Sequence, residues 1–131
     1  MIVVDSSALV DLGLGVRGCA ARVVAALEDA AWDLAAPHIV DIEIVSAVRR
    51  LTLARVLDAE AAAVRLSSVQ SIPVRRYPHV QLLPRIWELR TCVTAADAAY
   101  VALAEALDAP LLTTDRRLVR SQGHSATILA P

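Results

Sequence analysis

The sequence contains no lysine: all thirteen basic residues are arginines. No site here can depend on a lysine ammonium group. Cysteine is nearly as scarce. Cys19 and Cys92 share no CxxC spacing, and His38, His79 and His124 form no ligand motif with them, which argues against a zinc or other soft-metal site. Two buried, unpaired thiols in a cytoplasmic protein are expected. Net charge is lacking too. At a formal -1 no basic field covers the molecule, so any nucleic-acid site has to be local. Long apolar runs are missing, since no uncharged stretch approaches the ~18 residues of a membrane span. The opening MIVVDSS has neither a basic n-region nor a long apolar h-region, so no secretory signal is expected. Aromatic residues make up only 3% of the chain. Trp32, Trp87, Tyr77 and Tyr100 are expected in the core or an interface rather than as base-stacking platforms, and no RNA-binding module motif is present.

What remains is strongly apolar: 56% hydrophobic residues with a mean hydropathy of +0.53. A chain of 131 residues buries a substantial core as one domain, 1–131. The surplus apolar surface is expected to meet a protein partner. Apolar spacing predicts strands at 2–4, 34–36, 72–75, 111–114 and 126–129, the one at 72–75 an edge strand. Helices are predicted at 8–12, after a cap from Ser6 or Ser7, and at 20–31 beyond a break from Gly13 to Gly18. Further helices are predicted at 38–53, 58–68, 79–90, 94–107 and 116–121. Strands alternating with helices indicate an α/β domain with a mostly parallel sheet of four to five strands flanked by helices.

Carboxylates carry the chemical signal. In IVVD and LLTTD an apolar strand ends and an aspartate follows, so parallel pairing brings Asp5 and Asp115 out at one sheet edge, where open α/β folds bind ligands. Each could equally be a helix cap. Asp97 sits in TAAD, which matches a capping box, yet the helix after it is so apolar that it must pack deeply and bring Asp97 near the sheet. Glu43 lies at the margin of the apolar face of its helix, where an ordinary solvated glutamate also fits. Ionised carboxylates ~4 Å apart repel by about 4 kcal/mol per pair at an effective dielectric near 20. A divalent cation compensates for that, and oxygen ligands without histidine or cysteine suit Mg²⁺, with Mn²⁺ as a substitute. Such an ion can activate water and stabilise the leaving oxygen in phosphodiester hydrolysis.

With the acids in this order, IVVDSSAL, PHIVDIEIVSAVRRL and TAADAAYVALAEALDAPLLTTDRRL resemble the PIN-domain ribonucleases, and more closely the VapC-type toxins of bacterial toxin-antitoxin pairs. The resemblance covers nearly the whole chain. It implies a PIN-like fold, endoribonuclease activity and an acidic quartet of Asp5, Glu43, Asp97 and Asp115. It further implies Asp5, Asp97 and Asp115 as metal ligands, and Ser7 and Thr113 as residues that orient water or substrate. A small VapB-type antitoxin and a homodimer are the partners implied. Where some relatives carry a further acid after the fourth, this chain has Arg116 and Arg117.

Arg116 and Arg117 adjoin Asp115 and are candidate phosphate contacts, with Arg50 a lesser one. Rival classes lose on specific residues. A signalling receiver domain uses a lysine at its phosphorylation site, and a dehalogenase-like phosphatase wants Asp-x-Asp where this chain has Asp5-Ser6-Ser7. A DNA nuclease of the same broad fold and a non-catalytic interaction module remain the alternatives, since no residue type separates RNA from DNA.

Overall fold

The computed structural model describes residues 1–15 and 18–131. Five parallel strands form one sheet in the order β3-β2-β1-β4-β5. They are β1 (Ile2–Val4), β2 (Leu34–Pro37), β3 (Val74–Tyr77), β4 (Leu111–Leu112) and β5 (Ile128–Leu129). The helices are α1 (Ser6–Leu14), α2 (Ala20–Asp29), α3 (Val40–Leu53), α4 (Ala59–Gln70), α5 (Leu83–Glu88), α6 (Ala95–Leu107) and α7 (Arg116–Val119). Parallel neighbours need crossovers, and helices supply the long ones.

Residues of β1 are buried on both faces, which is why Ile-Val-Val reads as an unbroken apolar run instead of an alternation. This strand is central. It pairs with β2 through Ile2 and Leu34, and with β4 through Val4 and Leu112. That second register aligns the C-terminal ends of β1 and β4. The backbone N–H of Asp5 extends the pairing by donating to Leu112 O at 2.9 Å.

Helix α6 packs against β1, β2 and β4. Residues Ala98 to Ala104 are all buried, and the small alanines let the helix backbone approach the sheet closely. Its start is set by Thr94, whose hydroxyl accepts from the Asp97 N–H at 3.2 Å, and it ends at Asp108 in the left-handed region. Another close approach joins α1 to α4: a Cβ built on Gly13 would lie 2.1 Å from Val69 Cγ2. Buried Tyr100, Leu9, Leu27, Leu34, Leu89, Leu111 and Leu118 fill the space between sheet and helices.

Several expectations need correction. The helix expected at 79–90 is broken into a 3₁₀ turn at Val80–Leu82, α5 and a second 3₁₀ turn at Leu89–Thr91, with Pro84 in the first turn of α5. The third strand lies at 74–77, two residues later than expected, so Tyr77 belongs to it; it is an edge strand as anticipated. Gly13 lies inside α1, and Val16 and Arg17 of the expected break fall outside the described residues. The thiols are not both buried. Cys92 is exposed, Cys19 half-buried, and neither is paired in a disulfide. Of the two places expected for Trp87, core or interface, its 68% exposure removes the core. Among the described residues no helix is long and apolar enough to cross a membrane. Exposed apolar side chains do occur on the helices, with Ile42, Val45 and Leu53 on α3 and Val64 on α4.

Candidate active site

Asp5 stands at the carboxyl end of β1 and is only 4% exposed. It occupies the N-cap position of α1 but makes no side-chain cap there. Its carboxylate instead accepts from the hydroxyls of Ser6 at 3.3 Å, Ser7 at 2.5 Å and Thr113 at 2.7 Å. The Ser7 and Thr113 hydroxyls are 3.1 Å apart. Ser7 Oγ accepts from the Thr114 N–H, and Thr113 Oγ1 from the Asp115 N–H. One hydroxyl network therefore joins the ends of β1 and β4. Thr113 is fully buried behind Asp5, while Ser7 reaches the surface of the groove.

Asp115 does cap its helix, accepting from the Arg117 N–H at 2.8 Å. Asp97 occupies the first turn of α6, where the capping threonine fixes the backbone and leaves the carboxylate facing the groove. Glu43 comes from the first turn of α3, and the Tyr100 hydroxyl donates to its Oε2. All four acids line one open groove of about 720 Å³, together with Arg50, Arg90 and Arg117.

The acids sense one another. Burial pushes the Glu43 carboxyl above its ordinary value, opposed by the Tyr100 hydrogen bond and reinforced by the charges of Asp5 and Asp97. Burial also raises Asp97, opposed by its bond to Thr94 and by the charge of Arg117, and reinforced by Asp5 and Asp115. Among the described residues no arginine forms an ion pair with Asp5, Glu43 or Asp97. Arg117 Nε lies 3.7 Å from Asp115 Oδ1, but that side chain is 92% exposed and compensates little. Among the described residues the groove thus holds four carboxylates of which three have no ion-pair partner, alongside three guanidinium groups, of which Arg117 offsets part of the charge felt by Asp97.

Among the described residues no three of these acids converge into a ready-made metal cage. A hard cation such as Mg²⁺ does not require one, because it keeps several waters and takes one or two carboxylates plus substrate phosphate oxygens. The oxygen-only donor set fits such an ion and suits a softer metal poorly.

The sequence-predicted residues divide accordingly. Asp5, Ser7, Glu43, Asp97, Asp115, Arg50 and Arg117 line the groove; Arg116 is exposed and does not. Residues missed by sequence reading are Ser6, Arg90 and the hydroxyl end of Tyr100. Tyr100 was assignable to the core by its apolar neighbours, yet its position three residues after Asp97 places both on one side of α6.

A five-stranded parallel sheet with acids gathered at the carboxyl ends of β1 and β4 defines a class of small α/β folds that bind their ligands at that edge. Comparison with known proteins is specific. The PIN domain family profile matches residues 2–123. Ribonuclease VapC12 of Mycobacterium tuberculosis is 40% identical over 128 residues, covering 98% of this chain and 97% of that protein. Ribonuclease VapC9 of the same species is 45% identical over 118 residues, covering 90% and 88%. Among solved structures, VapBC2 from Rickettsia felis bound to a DNA fragment from their promoter matches with a TM-score of 0.70 at 18% identity, covering 99% and 98%. The chain belongs to the PIN-domain family, in its VapC branch.

Proposed function

We propose that the protein is the toxin of a VapBC-type pair: a metal-dependent endoribonuclease, one PIN domain over residues 1–131, acting through Asp5, Glu43, Asp97 and Asp115. One observation carries this reading: four carboxylates from four separate elements line a single groove, and among the described residues no arginine forms an ion pair with the inner three. Leaving such charge uncompensated is costly, so a groove built this way serves a cation and an anionic substrate brought by it. The names of the VapC relatives support the substrate class.

In this reading Asp5 and Asp97 hold the ion, with Asp115 as a further ligand, direct or through water. The bound ion, Mg²⁺ or Mn²⁺, supplies positive charge to a phosphodiester and acidifies water near it. The chain's own residues do the rest. Ser7 and Thr113 keep the Asp5 carboxylate in one orientation through short hydroxyl bonds. Arg117 at the rim grips a flanking phosphate by its guanidinium fork, with Arg116 outside the groove as a weaker contact. Glu43, raised by burial and by its acidic neighbours, is placed to take a proton from the attacking water. A VapB-type antitoxin and a second copy are the proposed partners, and the exposed apolar residues of α3 and α4 supply surface for them.

The test is cleavage of labelled structured RNA by purified protein, with Mg²⁺ or Mn²⁺, with EDTA, and with Asp97→Asn on the same gel. Cleavage lost in both controls is expected. Full cleavage by Asp97→Asn would overturn the quartet, and cutting of single-stranded DNA alone would move the substrate to DNA.

A further inference from the structure

A buried phenol beneath the groove is the strongest unassigned feature. Tyr100 is completely buried, yet its hydroxyl is not spent on the core: it donates to Glu43 Oε2. The side chain comes from α6 and the carboxylate from α3, so this one bond ties together two helices that each deliver an acid to the groove. Ser6, at the start of α1, donates from its hydroxyl to Asp5 Oδ1 at 3.3 Å. Tyr100 and Ser6 thus form a polar layer between the apolar core and the acids.

That arrangement has a physical consequence. A glutamate on the first turn of a helix has three side-chain torsions, and an acid repelled by neighbouring acids tends to swing toward solvent. A phenol sealed in the core cannot follow it. Its hydroxyl finds an acceptor in Glu43, and losing that acceptor would leave a buried donor unsatisfied. We propose that Tyr100 is a positioning residue for the nuclease site, holding Glu43 by one oxygen so that the other stays directed at the groove. This rests on the acidic-quartet reading above. Tyr100 itself touches no substrate; it acts through Glu43.

The test is a double-mutant cycle with Tyr100→Phe, Glu43→Gln and the pair, in the full-length protein. Phenylalanine keeps the ring and removes only the hydroxyl, so the fold should persist, checked by circular dichroism and thermal melting. Two readouts are taken: steady-state RNA cleavage with Mg²⁺, and Mn²⁺ affinity by isothermal calorimetry or electron paramagnetic resonance. Tyr100→Phe is expected to lower kcat by about tenfold or more with KM changed less than about twofold, the pattern of a mispositioned group. It is expected to weaken Mn²⁺ binding severalfold, because a Glu43 carboxylate no longer held at the groove contributes less negative charge beside the ion's ligands Asp5 and Asp97. In the Glu43→Gln background the same change should alter neither, since the residue it positions no longer works.

An additive loss in that background would assign Tyr100 a purely structural role and overturn the inference. So would a folded Tyr100→Phe protein with unchanged kcat and Mn²⁺ affinity. If wild-type protein cleaves no RNA, the activity reading fails, and the Mn²⁺ cycle alone still decides between coupling and its absence. If Tyr100→Phe does not fold, Glu43→Asp takes its place. Shortening the acid by one methylene breaks the same bond from the other side, and kcat equal to wild type would then refute the clamp.

Discussion

Replacing Asp97 with asparagine should make the ion-free protein more stable while removing its activity. The substitution preserves volume and removes one charge from a groove where Asp5 and Asp115 both act on it, and where Glu43 feels it in turn. At an effective dielectric near 20, unit charges repel by about 4 kcal/mol at ~4 Å and by about half that at twice the distance. The acids do not converge on one point, so the smaller figure is the better guide, and solvent in an open groove reduces it to about 1–2 kcal/mol in total. Against this stands the favourable interaction of an acid in the first turn of α6 with the helix dipole, about 0.3–1 kcal/mol. Repulsion wins by about 1 kcal/mol. Urea unfolding at pH 7.5 in EDTA should show the midpoint of Asp97→Asn above wild type by about 0.5 M, for an m-value of about 2 kcal/mol/M. The direction of the shift sets the pH dependence. An acid whose folded pKa is raised costs no stability below its unfolded pKa and costs it progressively as pH rises through the folded value. The advantage of Asp97→Asn should therefore vanish near pH 4 and grow above it. Saturating Mg²⁺ should reverse the order, because only wild type gains binding energy. A midpoint in EDTA equal to or below wild type at pH 7.5 would refute the repulsion argument.

Other predictions concern the scaffold. Glu105 accepts from Arg85 through both oxygens, at 2.7 and 3.0 Å, and from the Ser125 N–H at 2.9 Å, tying α5, α6 and the loop before β5 together. Arg85 above all holds the Glu105 carboxyl down to about 2. Its stabilisation should be complete above the ordinary glutamate pKa and disappear as pH falls through about 2. Glu105→Gln should lower stability by about 1–2 kcal/mol at pH 7, measured by thermal melting, with the loss shrinking to a small part of that as pH falls to about 2. Gly13→Ala should destabilise despite the better helix propensity of alanine. The added Cβ meets stiff, buried Val69, and overpacking of about 1–3 kcal/mol outweighs a propensity gain of about 1 kcal/mol. The double change Gly13→Ala with Val69→Ala should recover part of the loss; if Gly13→Ala alone raises the melting temperature, α1 and α4 can part at little cost and the overpacking argument fails.

Some of this architecture is determined by local sequence. A short, fully apolar run that stops at an acid specifies a buried strand whose carboxyl end carries that acid, so β1, β4 and the directions of Asp5 and Asp115 were legible. The Thr94 to Asp97 cap and the alanine-rich run fixed the start and depth of α6, because cap chemistry and burial are both properties of neighbouring residues. Less was legible where neighbours compete. The segment 79–90 has helical periodicity, yet Pro84 can enter a helix only in its first turn, and the chain breaks around it.

Only the tertiary structure decided which alternative each acid follows. Asp5 could have been a helix cap by its sequence, and the choice was made by Thr113, more than one hundred residues away, whose hydroxyl takes up its carboxylate. From its own neighbourhood Glu43 could equally be an ordinary solvated glutamate, and resemblance alone names it for the quartet; the tertiary structure brings the Tyr100 hydroxyl to it. Periodicity reports whether a side chain is buried, since burial follows from the helix face it occupies. It cannot report what a buried hydroxyl meets, because that partner arrives from another element, at a distance set by the packing of the whole domain.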